Sequence, residues 1–278
     1  MAAAVLSGFI VVCFIATVSA EASNLRPDTV KAWNDYIASR EKQISTELNS
    51  SKGFFAMDFQ SQQEAAAERR TVLAGDVSIK RAPHAGGKSD FQIPGGTIHH
   101  WRGAVFIPDV AFDFFMHRIR HPELETEMQE DVLESRILER TSPDQYRLFL
   151  KLKRTQIITV IYNTEHLVRY RRHGDDKYSG VSVSAKIAEV EQLKNGAERE
   201  KAAGEDRGFL WRMNSYWRYQ KVHGGVLVEC ETITLSRSVP FLVETLARPI
   251  INNIAGESME RTLRELRERM IKASASRQ

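Results

Sequence analysis

Ser215 to Arg237 reads SYWRYQKVHGGVLVECETITLSR, two alternating runs that meet at His223-Gly224-Gly225. Two period-two runs closed by glycine are the sequence form of a β-hairpin. A turn at His223-Gly224 pairs Trp217 with Cys230, Tyr219 with Val228, Ser215 with Thr232 and Arg218 with Glu229. A turn at Gly224-Gly225 sets Arg218 against Glu231 instead. Either register gives one face of Trp211, Met213, Ser215, Trp217, Tyr219, Val226, Val228, Cys230, Thr232 and Thr234. The other face carries Arg218, Glu229 and Glu231, and a cross-strand pair of opposite charges contributes ~0.2–1 kcal/mol. An antiparallel sheet that packs one face commonly wets the other, so the charged face is expected in water.

More strands precede this hairpin. Residues 97–108 read as a strand, followed by a short helix over 109–119 with Asp109 as its cap, and the acidic 123–131 continues as a helical turn or two. The runs 132–140 and 145–154 flank a Thr-Ser-Pro-Asp turn, and 157–172 meets 177–191 across His173-Gly174-Asp175-Asp176. In 157–172 the more apolar parity is Ile158, Val160, Tyr162, Thr164, His166, Val168 and Tyr170, assigned inward unless a bulge reverses it. A polar run, 192–208, leads to the hairpin. The chain then closes in a long helical pattern, capped by Ser238 with Pro240 in its first turn and a kink expected at Pro249. At the other end, Asp28 caps a helix to about Leu48 with Trp33, Ile37 and Ile44 on one stripe. Residues 49–70 are ambiguous, with Phe54, Phe55 and Phe59 as packing points; 71–80 looks like a bent strand and 82–96 like a loop.

Composition removes some function classes. A formal charge of +3 over 278 residues, without a Lys/Arg block, does not suit nucleic acid. Residues 1–20 are uncharged and mostly apolar and end in Val18-Ser19-Ala20, the pattern of a signal peptide; an uncleaved membrane anchor is the competing reading, since no basic residue precedes Arg26. Either way the body is expected outside the cytosol, periplasmic or secreted. Beyond the leader only Cys230 remains, so no internal disulfide is expected.

The order of elements, carried by GGTIHHWRGAVFIP, ITVIYNTEHLVRY, GFLWRMNSYWRYQ, GGVLVECETITLSRSVP and the closing helix FLVETLARPIINNIAGESMERTLRELRERM, resembles the helix-grip fold of the START-like superfamily. That superfamily also includes polyketide cyclase/aromatase domains and birch-pollen-type allergens. The resemblance covers roughly residues 97–270. It implies an α+β fold with a seven-stranded antiparallel sheet wrapped around a long C-terminal helix. The domain division is a leader at 1–20, an N-terminal helical extension with an extra strand at 21–96, and the helix-grip domain at 97–278.

On residues alone, the aromatic face is either a solid core or a cavity wall. The resemblance implies the cavity, holding a hydrophobic small molecule or lipid against Trp211, Met213, Ser215, Trp217, Tyr219, Tyr162, Thr164, His166, Cys230 and Thr232. No cofactor is implied, and peripheral membrane contact is an open partner class. The rivals are a cyclase/aromatase-type enzyme using His166 with Tyr162 or Tyr219, and a scaffold with a filled core. No nucleophile elbow, phosphate loop or paired-carboxylate signature is present. His117 and His121 are spaced as zinc ligands could be, but Arg-Ile-Arg separates them and Pro122 follows, so no metal site is expected. His99 and His100 point to opposite faces of a strand and read as packing or surface residues.

Overall fold

The computed structural model describes residues 25–82, 91–124, 130–155, 158–238 and 241–276, with the backbone alone given for residue 124 and for 241–255. The leader, Pro240, residues 125–129 of the acidic stretch and most of the 82–96 loop lie outside these. Among the described residues, no helix is long and apolar enough to cross a membrane.

The elements in chain order are α1 (Pro27–Leu48), a 3-10 turn (Ala56–Phe59), α2 (Gln62–Leu73), β1 (Ser78–Arg81), β2 (Phe91–Ile93) and β3 (Gly96–Pro108). After α3 (Phe112–Arg120) and a second 3-10 turn come β4 (Val132–Ser142), β5 (Gln145–Thr155), β6 (Thr159–Arg172) and β7 (Lys177–Gln192). The chain finishes with β8 (Glu198–Glu200), β9 (Arg212–Val222), β10 (Gly225–Arg237) and α4 (Phe241–Ala275).

The fold is α+β, one antiparallel sheet facing a long C-terminal helix, as the resemblance implied. Among the described residues the sheet has ten strands rather than seven, ordered β1-β3-β10-β9-β7-β6-β5-β4, with β2 on β3 and β8 on β7. The three additions are short: β1 and β2 come from the N-terminal extension, and β8 from the polar run before the hairpin. Of the two hairpin registers the molecule uses the His223-Gly224 turn, pairing Arg218 with Glu229 and Trp217 with Cys230. Gly225 sits at φ 159°, and a Cβ there would fall 2.1 Å from the Ile107 carbonyl oxygen, so β10 can lie this close to β3 only with glycine.

Several local expectations are corrected. Residues 62–73 form helix, opened by Ser61, whose hydroxyl accepts from the Glu64 amide while the Glu64 carboxylate accepts from the Ser61 amide. This capping box ends the notion of a strand beginning at residue 71. Pro27 occupies the first turn of α1 and Arg26 its cap, so Asp28 lies inside the helix, where its carboxylate accepts from the Thr29 amide at 2.9 Å. Asp109 adopts a left-handed φ of 57° and α3 starts after Ala111. Helix α4 continues through Pro249, as a proline-kinked helix can.

The largest correction concerns the outer face of the hairpin. It is covered by the N-terminal extension, and Arg218, Glu229 and Glu231 are 3%, 1% and 4% exposed. Trp33, Ile37 and Ile44 of α1 pack on Ile98, Tyr216, Ile233 and Leu235, while Phe54, Phe55 and Met57 pack on Ala104 and Leu227. The buried charges find partners within this layer. Arg40 donates to both Glu231 and Glu47, and Arg218 donates to Glu47 and, at 2.9 Å, to the Phe54 carbonyl. Glu229 accepts from the Ala56 and Met57 amides at 2.6 and 3.0 Å and from Arg102 at 2.9 Å. Arg102 continues to Glu68 at 2.8 Å, which Lys80 also reaches at 2.8 Å. Water has been replaced here by matched charge, as buried ions require.

This layer makes the fold acid-sensitive. Burial opposes ionisation of Glu68, but hydrogen bonds from Arg102 and Lys80 outweigh it and hold the carboxyl at about 2. Glu231 is held well below the ordinary carboxylate range in the same way: burial opposes its charge, and Arg40 and His100 overcome it. A depressed carboxylate stabilises the fold fully above its unfolded value of about 4.3, and that stability is lost as pH falls towards the folded value. Urea midpoints measured from about pH 7 down to about pH 2 are expected to fall most steeply below about pH 4.5. A midpoint that stays flat to about pH 3 would contradict the buried network.

Candidate functional site

Between the inner face of the sheet and α4 lies a cavity of about 790 Å³. Its sheet wall comes from seven strands, β4 giving only Val132. Strand β5 gives Tyr146, Leu148, Leu150 and Leu152; β6 gives Val160, Tyr162, His166, Val168 and Tyr170; the hairpin gives Met213, Ser215, Trp217, Tyr219, Cys230, Thr232 and Thr234. Strands β3 and β7 add His99, Trp101, Gly180 and Ser182, and α4 closes the space with Met259, Thr262, Leu263 and Leu266.

The inward parity of β6 holds along the strand. A bulge does occur beside it, between Glu165 and His166, but the extra residue is Ala185 on β7. Asn163, Glu165 and Arg169 accordingly face outward, half-buried or exposed, where no N-terminal layer covers the sheet.

Burial along the hairpin differs between its two ends: Tyr219, Val226, Val228 and Cys230 of the inner face are packed against Met259, Leu263 and Leu266 of α4, and the rest of that face is more open. The outer-face residues Asn214, Tyr216, Arg218, Glu231, Ile233 and Leu235 are buried, whereas the inner-face residues Met213, Ser215, Trp217, Thr232 and Thr234 are only half-buried. The cavity therefore reaches the inner wall away from the turn, at Met213, Ser215, Trp217, Thr232 and Thr234, while the turn end of the same face is packed core.

A polar stripe crosses an otherwise apolar surface. Ser182, Ser215 and Thr232 lie side by side on β7, β9 and β10, with Ser215 and Thr232 hydroxyls 3.2 Å apart. The Ser182 hydroxyl is 3.4 Å from His166 Nδ1, and His166 Nε2 is 3.0 Å from the Thr164 hydroxyl. His99 Nε2 is 3.0 Å from the Ser236 hydroxyl at the far edge. Trp217 stacks on Tyr219 with ring centroids 6.1 Å apart and planes at 7°. Small polar groups set in broad apolar walls are the usual make-up of a small-molecule site.

Of the ten residues expected to hold a ligand, eight line the cavity: Met213, Ser215, Trp217, Tyr219, Tyr162, His166, Cys230 and Thr232. Trp211 does not. It precedes β9, so strand alternation no longer governs it; its indole donates to Asp206 at 3.0 Å and it packs with the α1 cluster. Thr164 shares the inward parity but is 0% exposed, its hydroxyl donating to the Leu150 carbonyl at 3.1 Å and holding His166.

The electrostatics speak against reactive groups. Burial pushes the His166 imidazole down to about 4, so it stays neutral where a general acid or base should titrate. Burial likewise raises the Cys230 thiol to about 12, leaving no thiolate nucleophile. Tyr162 is raised above its usual range, first by burial and then by Glu189 and Asp206. Its hydroxyl has no hydrogen-bond partner among the described residues, a demand of about 1–3 kcal/mol that the fold leaves unmet. His100 lies on the opposite face from His99, between the Tyr36 hydroxyl and Glu231 at 2.7 Å each. Both are buried, His99 on the cavity wall and His100 on the opposite face of the sheet. His117 and His121 sit with ring centroids 4.7 Å apart, and His121 pairs with Glu123 at 2.9 Å. Among the described residues no three His, Cys, Asp or Glu side chains converge as a metal site.

No family model and no curated protein matches the sequence. Solved structures give distant likenesses. A STAR-related lipid transfer protein from Xanthomonas axonopodis is 16% identical over 66% of this chain and 99% of its own, with a TM-score of 0.41. Human STARD10 is 10% identical over 81% of this chain and 84% of its own, at 0.41. The Zhui aromatase/cyclase from a Streptomyces species is 10% identical over 63% of this chain and 94% of its own, at 0.38. Likeness at this level says nothing about what this chain binds.

Proposed function

We propose that the protein binds a hydrophobic small molecule or lipid in the cavity between its sheet and α4. The observation that carries this is a cavity of about 790 Å³ beneath α4, onto which the hairpin leaves Met213, Ser215, Trp217, Thr232 and Thr234 half-open while its charged back is sealed. Burial of apolar ligand surface supplies the driving force, about 25 cal/mol per Å² before the costs of association. The hydroxyl stripe from His166 to Thr232 orients the ligand. A cyclase-type reaction would need a proton carrier near neutrality, and His166 is held neutral among hydroxyls, which favours binding over catalysis. The apolar leader supports export, and the exposed Ile158 and Phe209 on the cavity rim mark the end at which the protein would meet a membrane.

An apolar fluorophore such as Nile red, titrated against the intact chain, is expected to saturate at about one per chain with micromolar or tighter affinity. Unsaturable or undetectable uptake would remove the ligand-binding reading. His166→Ala is expected to shift affinity by less than about tenfold, since the imidazole only orients the ligand.

A further inference from the structure

The charged groups on the cavity wall are all of one sign. Among its described lining residues, Arg154, Arg207, Arg237 and Arg269 carry charge, and no Asp or Glu does. Three of the four gather at one end. Arg154 lies near the end of β5 opposite Val160, and both Arg154 and Arg207 act electrostatically on Tyr162. The Arg237 amide donates to the Gly208 carbonyl at 2.6 Å, next to Arg207. Ile158 and Phe209, 45% and 51% exposed, show that this end opens to solvent.

The balancing carboxylates stand behind the wall and are shared. Asp131 serves Arg154 at 3.0 Å and Arg261 at 3.5 Å, the latter also 3.9 Å from exposed Glu130. Glu189 is fully buried and serves both Lys201, at 2.7 Å, and Arg207. Asp206 is 3.9 Å from Arg237. Five cations thus draw on four carboxylates, two of them, Glu130 and Asp206, only at 3.9 Å, and the side chains of Arg154, Arg207 and Arg237 remain 30%, 45% and 47% exposed. Guanidinium forks facing a mouth with apolar walls suit a planar or tetrahedral anion. A cationic head would meet only repulsion there.

We infer that the ligand is an amphiphile with a single anionic head, a carboxylate or phosphate monoester, its apolar body in the aromatic interior and its head against Arg154, Arg207 and Arg237. This rests on the ligand-binding reading above and assigns the chemical class.

Displacement of Nile red from the intact chain by amphiphiles sharing a dodecyl chain tests it: dodecanoate, dodecyl phosphate, dodecanol and dodecyltrimethylammonium, each below its aggregation concentration. At least one anion should bind roughly tenfold or more tighter than dodecanol, with the cation weakest. Raising salt from about 0.05 to about 0.5 M should narrow the gap. R207Q combined with R237Q should reduce the anion-to-alcohol ratio to within about threefold, and R207K should retain more of it than R207Q. Both side chains are nearly half exposed, and thermal melts of each variant check folding. Equal affinity for all heads overturns the head assignment while leaving the cavity in place. An undiminished ratio in the double variant overturns the role of these arginines. Failure of every amphiphile and of Nile red itself sinks the binding reading instead.

Discussion

Glu229→Ala is expected to destabilise the protein by about 3–5 kcal/mol, read as the loss in urea unfolding free energy at neutral pH. Glu229 is 1% exposed and accepts from the Ala56 and Met57 amides and from Arg102. Alanine leaves two buried backbone donors without their acceptor and strips Arg102, itself buried, of one of its two carboxylate partners. It also unties the turn at 56–59, which seats Phe55 and Met57 on the sheet. Glu229→Gln keeps an oxygen acceptor and should cost less. Glu165→Ala, on a half-buried part of the outer face that none of the described helices covers, should stay within about 0.5 kcal/mol. A loss below about 1 kcal/mol for Glu229→Ala would mean that the N-terminal layer is not an integral part of the fold.

Blocking the cavity should have an equally large effect on binding. Ser215→Trp projects an indole from the middle of the sheet wall, and Thr262→Trp projects another from α4. The single Ser215 variant should weaken Nile red uptake at least tenfold, and the pair should abolish measurable uptake. Stability should change little, because the lost Ser215–Thr232 hydrogen bond costs about 1 kcal/mol and the new ring buries apolar surface. Uptake that persists in the double variant would place the ligand elsewhere.

How much of this could be read in the residues varies by element. The inward sets of β6, β9 and β10 followed from strict alternation, which left two hairpin registers open but the same face in both, and eight of the ten expected site residues lie on the wall as a result. Trp211 was misplaced because alternation was carried one residue beyond the start of β9 at Arg212. Ser182 and His99 were missed as wall residues. β7 contains the Ala185 bulge and no clean apolar alternation, and two adjacent histidines on β3 gave no hint of which faced inward.

The covered outer face had a signal that the charges masked. Leu227, Ile233 and Leu235 share a parity with Glu229 and Glu231, so β10 is apolar on both faces, the mark of a strand buried on both sides. What covers it was not legible. Arg40 and Glu231 meet across 191 residues of sequence, and no local pattern encodes such a pair. The arginine rim was likewise invisible, since it gathers Arg154, Arg207 and Arg237 from three separate segments.

Organic extraction of the full chain purified from its own host, followed by mass spectrometry, tests the central claim most directly, with Ser215→Trp/Thr262→Trp prepared in parallel. The expected result is one recurring apolar compound, near one per chain, that the blocked variant lacks. The same compounds at the same trace level in both preparations would contradict a ligand-binding cavity.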